Sequence, residues 1–313
     1  MQALGIRRAI RAGRDWVAER RRQRAVPTLD EALANWIAKE APGWKGGVQG
    51  HTARMTPRPF QRHLWALVGA RVNAITEPMI LAALLPVWRE RRETGVRLFD
   101  RPRGTLRLAR AQGHAGGIDW EMIREGLPSR RPPKVHRPAM AVADVPGFAA
   151  WLTAKETAAA RALPYLILTA VRSGEARGAA WAEIDEAEAL WTIPGTRMKA
   201  GRAFEVPLSP AALALLARAK DAREALHPLS PLCFPGPTTG RALSDVALSK
   251  LPREGGHAEA TVHGFRYSFR TWAADVAHAP REVAEACLAD AAPGGPVEAA
   301  YLRTTMPARR RTL

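Results

Sequence analysis

Apolar residues recur at three- and four-residue steps through most of the chain, and the polar residues between them fall where helix ends are expected. Thr28, Asp30 and Glu31 surround Leu29 in a capping-box pattern, and Leu33, Trp36 and Ile37 follow at helical spacing, so a helix opens at Thr28. A second helical stretch covers about residues 59–68, with Phe60, Leu64, Trp65 and Leu67. A third is capped by Thr76, has Pro78 at an early position, and carries Ile80, Leu81, Leu84, Leu85 and Trp88. A fourth runs from about 94 to 112 on a stripe of Leu98, Leu106 and Leu108 and is closed by Gly113. Further helical patterns cover 145–161, 163–171 and 210–225 and resume at 263. Two runs read as strands, 189–194 and 202–208, and the intervening Gly195 and Gly201 predict a hairpin. The expected fold is mainly α with a small antiparallel β-sheet: an all-helical domain followed by an α+β domain.

Four segments follow from shifts in composition. Residues 1–27 carry eight arginines against Asp15 and Glu19 and read as a basic arm or helix. Residues 28–126 form the helical domain. Residues 127–138 place Pro128, Pro132, Pro133 and Pro138 among Arg130, Arg131, Lys134 and Arg137, which predicts a stiff, extended basic linker. Residues 139–313 form the α+β domain.

Charge then narrows the class of partner. The 313 residues hold 47 basic and 30 acidic side chains, a net charge of +17, and 40 of the 47 are arginine. Arginine pairs bidentately with phosphate, so nucleic acid is the leading partner. The binding candidates are Arg97, Arg101, Arg103, Arg107 and Arg110 on the fourth helix, which could lie along a DNA groove, with Arg130, Arg131 and Lys134 in the linker. No apolar run approaches the ~18 residues that a bilayer span needs, so neither membrane span nor signal peptide is expected. Cys233 and Cys287 lack metal-ligand or disulfide-framework spacing, which predicts a reducing, cytoplasmic setting without structural zinc. No phosphate-loop motif is present, and no cofactor or metal is expected.

Four pieces could carry chemistry. Arg172, in Thr169-Ala-Val-Arg172-Ser-Gly-Glu175, follows a buried apolar run and must find an anion, either Glu175 or a ligand phosphate. Lys199 stands in the predicted hairpin loop of a chain that otherwise chooses arginine; it is a solvated turn residue or a proton donor. His263 and Arg266 are three apart and share a helix face. Tyr301, one of three tyrosines, becomes a nucleophile only where cations stabilise its anion and a phosphate lies in line.

In order, Arg172 is followed by Lys199 after 27 residues, by His263 and Arg266 after a further 64 and 67, and by Tyr301 35 beyond Arg266. This order resembles the catalytic domain of the tyrosine recombinases, the phage integrase family. Residues 169–185 match its T-x-x-R-x-G-E and W-x-x-I-D pattern, and 197–209 resemble its lysine hairpin. Residues 28–44, 75–88 and 93–113 resemble the helical core-binding domain of prophage and genomic-island integrases. The resemblance implies a site-specific recombinase acting on double-stranded DNA through a 3′-phosphotyrosine, as a tetramer, with accessory DNA-bending or excisionase proteins as further candidate partners. It implies that Arg172 and Arg266 clamp the scissile phosphate, His263 assists, Lys199 protonates the leaving oxygen, Tyr301 attacks, and Glu175 supports Arg172. The chain departs from the family where Asp290 stands in place of the usual His or Trp and where a short basic segment replaces the usual arm-binding domain. The alternative implied is a cleavage-impaired remnant that binds its site, and a third reading is an arginine-rich RNA-binding or structural protein.

Overall fold

The structure is a computed structural model in which residues 25–129, 138–198, 200–238, 241–289 and 310–311 are described. The chain divides into two compact units between residues 134 and 135.

The first unit is helical. Helix α1 (Leu29–Glu40) opens on a complete capping box: Thr28 Oγ1 accepts the Glu31 N–H at 3.3 Å, and the Glu31 carboxylate accepts the Thr28 N–H at 2.7 Å. The Thr28 backbone N–H first, and then the Thr28 hydroxyl, lower the Glu31 carboxyl pKa from its ordinary value. Helix α2 (His51–Met55) precedes the stretch expected as one helix over 59–68, which is instead two, α3 (Pro57–His63) and α4 (Trp65–Val68). Leu64 leaves helical geometry at φ −113° and ψ 26° while its side chain stays in the core. Helix α5 (Glu77–Glu90) buries Ile80, Leu84, Val87 and Trp88. Helix α6 (Arg92–Ala111) buries Leu98, Phe99, Leu106 and Ala109, with Leu108 only half-buried. A further helix that periodicity did not single out, α7 (Trp120–Gly126), is capped by Asp119, whose Oδ1 accepts the Glu121 and Met122 N–H groups at 3.0 and 3.1 Å.

The second unit begins with α8 (Val145–Thr153) and α9 (Ala158–Thr169). The expected single helix over 145–161 is broken because Thr157 caps α9, accepting the Ala160 N–H at 3.2 Å. After α10 (Ser173–Arg177) comes an antiparallel sheet of β1 (Ile184–Asp185), β2 (Leu190–Ile193) and β3 (Phe204–Pro207), in that order. Leu190 pairs with Pro207 and Ile193 with Phe204, so β2 and β3 are the expected hairpin; β1 adds a strand that the sequence did not suggest. Alternation turns Trp191 and Ile193 inward with Phe204 and Val206. Helix α11 (Pro210–Leu226) packs on α9, and α12 (Asp245–Ser249), α13 (Leu251–Glu254), α14 (Phe265–Asp275) and α15 (Arg281–Cys287) follow.

Tyr165 from α9 lies at the centre of this core, its ring 5.3 Å from those of Trp191 and Phe234. Burial raises its phenol well above the ordinary value. Cys233 beside it is a free thiol pushed up to about 12, first by burial and then by the charge of Glu183. Among the described residues, no helix is long and apolar enough to cross a membrane.

Candidate active site

Arg172 is placed by a helix end that glycine does not make. Helix α9 stops at Ala170, which takes left-handed angles at φ 51°. Val171 then buries its side chain, and Arg172 becomes the extended N-cap residue of α10. Glu175, one turn on, accepts the Arg172 backbone N–H at 2.7 Å and pairs with its guanidinium at 3.2 Å. The Glu175 side chain is 6% exposed and the Arg172 side chain 29%, so the carboxylate is spent inward while one edge of the guanidinium keeps access to solvent.

Arg266 comes from the other end of the second unit. Thr261 caps the turn Val262–Gly264 by accepting the Gly264 N–H at 3.0 Å, and this turn leads into α14. Gly264 is required by close approach: a Cβ there would lie 2.4 Å from the Pro138 carbonyl oxygen. Two further contacts fix α14 in place. Phe265 stacks on Phe148 with centroids 5.7 Å apart, and Ser268 Oγ donates to the Met140 carbonyl at 2.5 Å. Arg266 is thus buried, donating from Nη1 to the Ala170 carbonyl and from Nη2 to the Leu288 carbonyl at 2.6 Å. His263, on the same turn, is exposed, with its ring edge-on to Tyr267 at 6.0 Å.

The end of α15 completes the group. Arg270 on α14 grips the Glu285 carboxylate at 2.5 and 2.6 Å, holding α15 against α14. The chain then turns through Leu288 and Ala289, the latter at φ 49°. Arg266 reaches the first of their carbonyls and Arg172 Nη2 the second, at 3.5 Å. Arg172, Glu175 and Arg266 are therefore joined, with His263 one turn before Arg266. Lys199, Asp290 and Tyr301 lie outside the described residues, as do Arg130, Arg131 and Lys134.

Sequence reading passed over Arg197. Its Nη1 donates to both Glu183 carboxylate oxygens and its Nη2 to the Glu175 carbonyl. The signal was present in Arg197-Met-Lys199 but hidden in a chain with 40 arginines.

On α6 of the first unit, Arg97, Arg107 and Arg110 are exposed and Arg101 and Arg103 half-buried. Burial lowers the Arg101 pKa, and the neighbouring charge of Arg97 adds to the effect. At 100° per residue, Arg97 and Arg101 lie on one face, and Arg103, Arg107 and Arg110 cluster roughly 140° away. The second set lines a concavity of about 270 Å³ floored by Leu106, Ile118 and Trp120. The five arginines thus do not form one stripe, and a single groove wall cannot meet both sets.

No family model matches the chain. Two relatives from Escherichia coli (strain K12) do. The prophage integrase IntZ is 28% identical over 279 residues, covering 86% of this chain and 67% of its own length. The prophage integrase IntA is 28% identical over 277 residues, covering 84% and 65%. This chain therefore spans about two thirds of the length of the curated relatives it matches. Among solved structures, a lambda integrase(75–356) dimer bound to a COC′ core site aligns with a TM-score of 0.62 at 16% identity, over 90% of this chain and 97% of that one. A lambda integrase tetramer bound to a Holliday junction aligns with a TM-score of 0.62 at 17% identity, over 91% and 86%. The helical unit and the three-stranded sheet with its helices agree with these likenesses: in sequence the chain is similar to the prophage integrases, and in fold to the lambda integrase structures.

Proposed function

We propose that this chain cleaves and rejoins duplex DNA at a specific site through a 3′-phosphotyrosine, integrating or excising a mobile element. The observation that carries the reading is the convergence of Arg172 and Arg266 on one backbone turn, although 94 residues separate them in the chain. Two guanidiniums brought to one turn suit the non-bridging oxygens of one phosphate and favour the charge that grows in its pentavalent transition state. Glu175 orients Arg172. The Tyr301 oxygen attacks phosphorus as the bond to the 5′-oxygen breaks; His263 manages the tyrosine proton, and Lys199 gives a proton to the departing oxygen. Rejoining is the reverse, with the 5′-hydroxyl displacing tyrosine, so the bond energy is kept in the covalent link.

Double-stranded DNA is the partner, approached by Arg97, Arg101, Arg103, Arg107 and Arg110 of α6 and by Arg130, Arg131 and Lys134 in the basic segment between the units. The working assembly is a tetramer on paired sites in the cytoplasm, with accessory DNA-bending or excisionase proteins setting the direction of exchange. Asp290 points to the alternative of a cleavage-impaired, site-binding remnant, and no comparison favours it.

The test is covalent capture. A pool of nicked duplexes with random centres is incubated with the chain, and DNA that stays attached after denaturation is sequenced. A recurrent site, lost with Tyr301→Phe, supports the proposal; site-specific binding without any adduct sinks it in favour of the remnant.

A further inference from the structure

The segment that enters the β2–β3 loop is tied down by a residue that has no part in the reaction above. Arg197 Nη1 lies 2.6 Å from one Glu183 oxygen and closer still to the other, and its Nη2 donates to the backbone carbonyl of Glu175. Glu183 is held from two further sides, by Trp191 Nε1 at 3.0 Å and the Ala180 N–H at 3.3 Å. One guanidinium therefore ties the loop after β2, the turn before β1, and α10, whose N-cap is Arg172. A Cβ at position 178 would sit 2.8 Å from Arg197 Nη2, so Gly178 leaves the slot that the guanidinium fills. Met198 follows with its side chain in the core, at 4% exposure.

The side chains of Arg197 and Glu183 are only 24% and 12% exposed. A pair as enclosed as this is a weak source of stability but a strong constraint on geometry, because its desolvated groups accept few other arrangements. The constraint falls on α10, whose N-cap is Arg172, and on the chain at Arg197, two residues before Lys199 in the sequence.

We infer that Arg197, through Glu183 and the Glu175 carbonyl, is a positioning residue that sets Lys199 in register with Arg172, so that the leaving 5′-oxygen receives its proton while its phosphate is clamped. This rests on the reading of Lys199 as the proton donor.

A substrate whose scissile 5′-oxygen is replaced by sulfur separates this role from a merely structural one, since a thiolate departs without a proton and an alkoxide does not. Duplexes carrying the captured site, with either oxygen or sulfur at that position, are cleaved by the native chain and by Lys199→Ala, Arg197→Ala and Arg197→Ala/Glu183→Gln. The double variant removes the buried charge that Arg197→Ala leaves without its partner, so the assay does not depend on one variant's folding. Lys199→Ala is expected to be slow on oxygen and near native on sulfur. Both Arg197 variants are expected to lose roughly a hundredfold on oxygen, within the range a general acid supplies, and to come within about threefold of native on sulfur. Equal loss on both substrates, or loss on neither, overturns the inference alone. Failure of sulfur to restore Lys199→Ala overturns the proton-donor reading and this inference with it.

Discussion

Arg266 and Arg172 reach for consecutive carbonyls of one turn: Arg266 Nη2 donates to Leu288 at 2.6 Å, and Arg172 Nη2 lies 3.5 Å from the carbonyl of Ala289. The two bonds differ in length and in burial, and so should their loss. Arg266→Ala strips donors from the carbonyls of Ala170 and Leu288, at about 1–3 kcal/mol for each buried acceptor left unpaired. Arg172→Ala takes the guanidinium from a Glu175 carboxylate that is 6% exposed but keeps the backbone N–H bond to it, at about 1–3 kcal/mol in all, less than the two unpaired carbonyls cost together. Both should abolish covalent capture of DNA. Urea melts alongside adduct yields check this, and a large loss of stability in Arg172→Ala would refute the division of labour.

Gly264→Ala should be severe for a residue that touches no substrate. Its Cβ would meet the Pro138 carbonyl at 2.4 Å, and neither that backbone nor the Thr261 cap can give way cheaply. Overpacking of this kind costs about 1–3 kcal/mol. Because His263 precedes it on the same turn, adduct formation should fall even below the melting transition. Native activity in Gly264→Ala would show that the turn tolerates displacement.

On the proposed function, the two arginine faces of α6 should make separable contributions to DNA affinity. Every phosphate that is no longer neutralised reduces the log–log salt slope by about 0.9, so replacing Arg103, Arg107 and Arg110 together by alanine should flatten it by about 2.7 if this face meets the backbone. Arg97→Ala with Arg101→Ala removes two charges and should flatten it by no more than about 1.8. Titrations at several salt concentrations decide between the faces, and the reverse ranking would assign the phosphates to Arg97 and Arg101.

Cys233 predicts a loss of stability at high pH. Its folded pKa, about 12, stands above the ordinary value of 9.0. The unfolded chain therefore releases the thiol proton first. The contribution is intact below pH 9 and lost as pH rises towards 12, by roughly 4 kcal/mol at 1.36 kcal/mol per unit. Urea midpoints across this range should fall less steeply in Cys233→Ala than in the native chain. Parallel curves would mean that the thiol is not held protonated. Alkylating reagents at pH 8 should also find Cys233 nearly inert in the folded chain.

What could be read from sequence divides by the range of the cause. The Thr28–Glu31 box and the β2–β3 hairpin were legible because neighbouring residues encode them. The break at Leu64 and the cap at Thr157 were not, since the apolar spacing continues across both. Arg172 and Arg266 could be singled out by type and spacing, but nothing local announces that Arg266 holds the carbonyl of Ala170. Arg197 was missed for the same reason: its partners, Glu183 and the Glu175 carbonyl, lie 14 and 22 residues away.

The alanine that ends α9 has a consequence for the order of assembly. The bond that holds its carbonyl comes from Arg266, 96 residues later, and the contact from Arg172 to Ala289 spans 117. Contacts of such separation close large loops and are costly in entropy, so they form after the local turns they join. During synthesis, α9 and α10 are complete long before their anchor exists. The centre that joins Arg172 and Arg266 therefore has no early, partial form: it comes into being only once the chain has been made through Ala289, and a nascent fragment carries Arg172 without its partner.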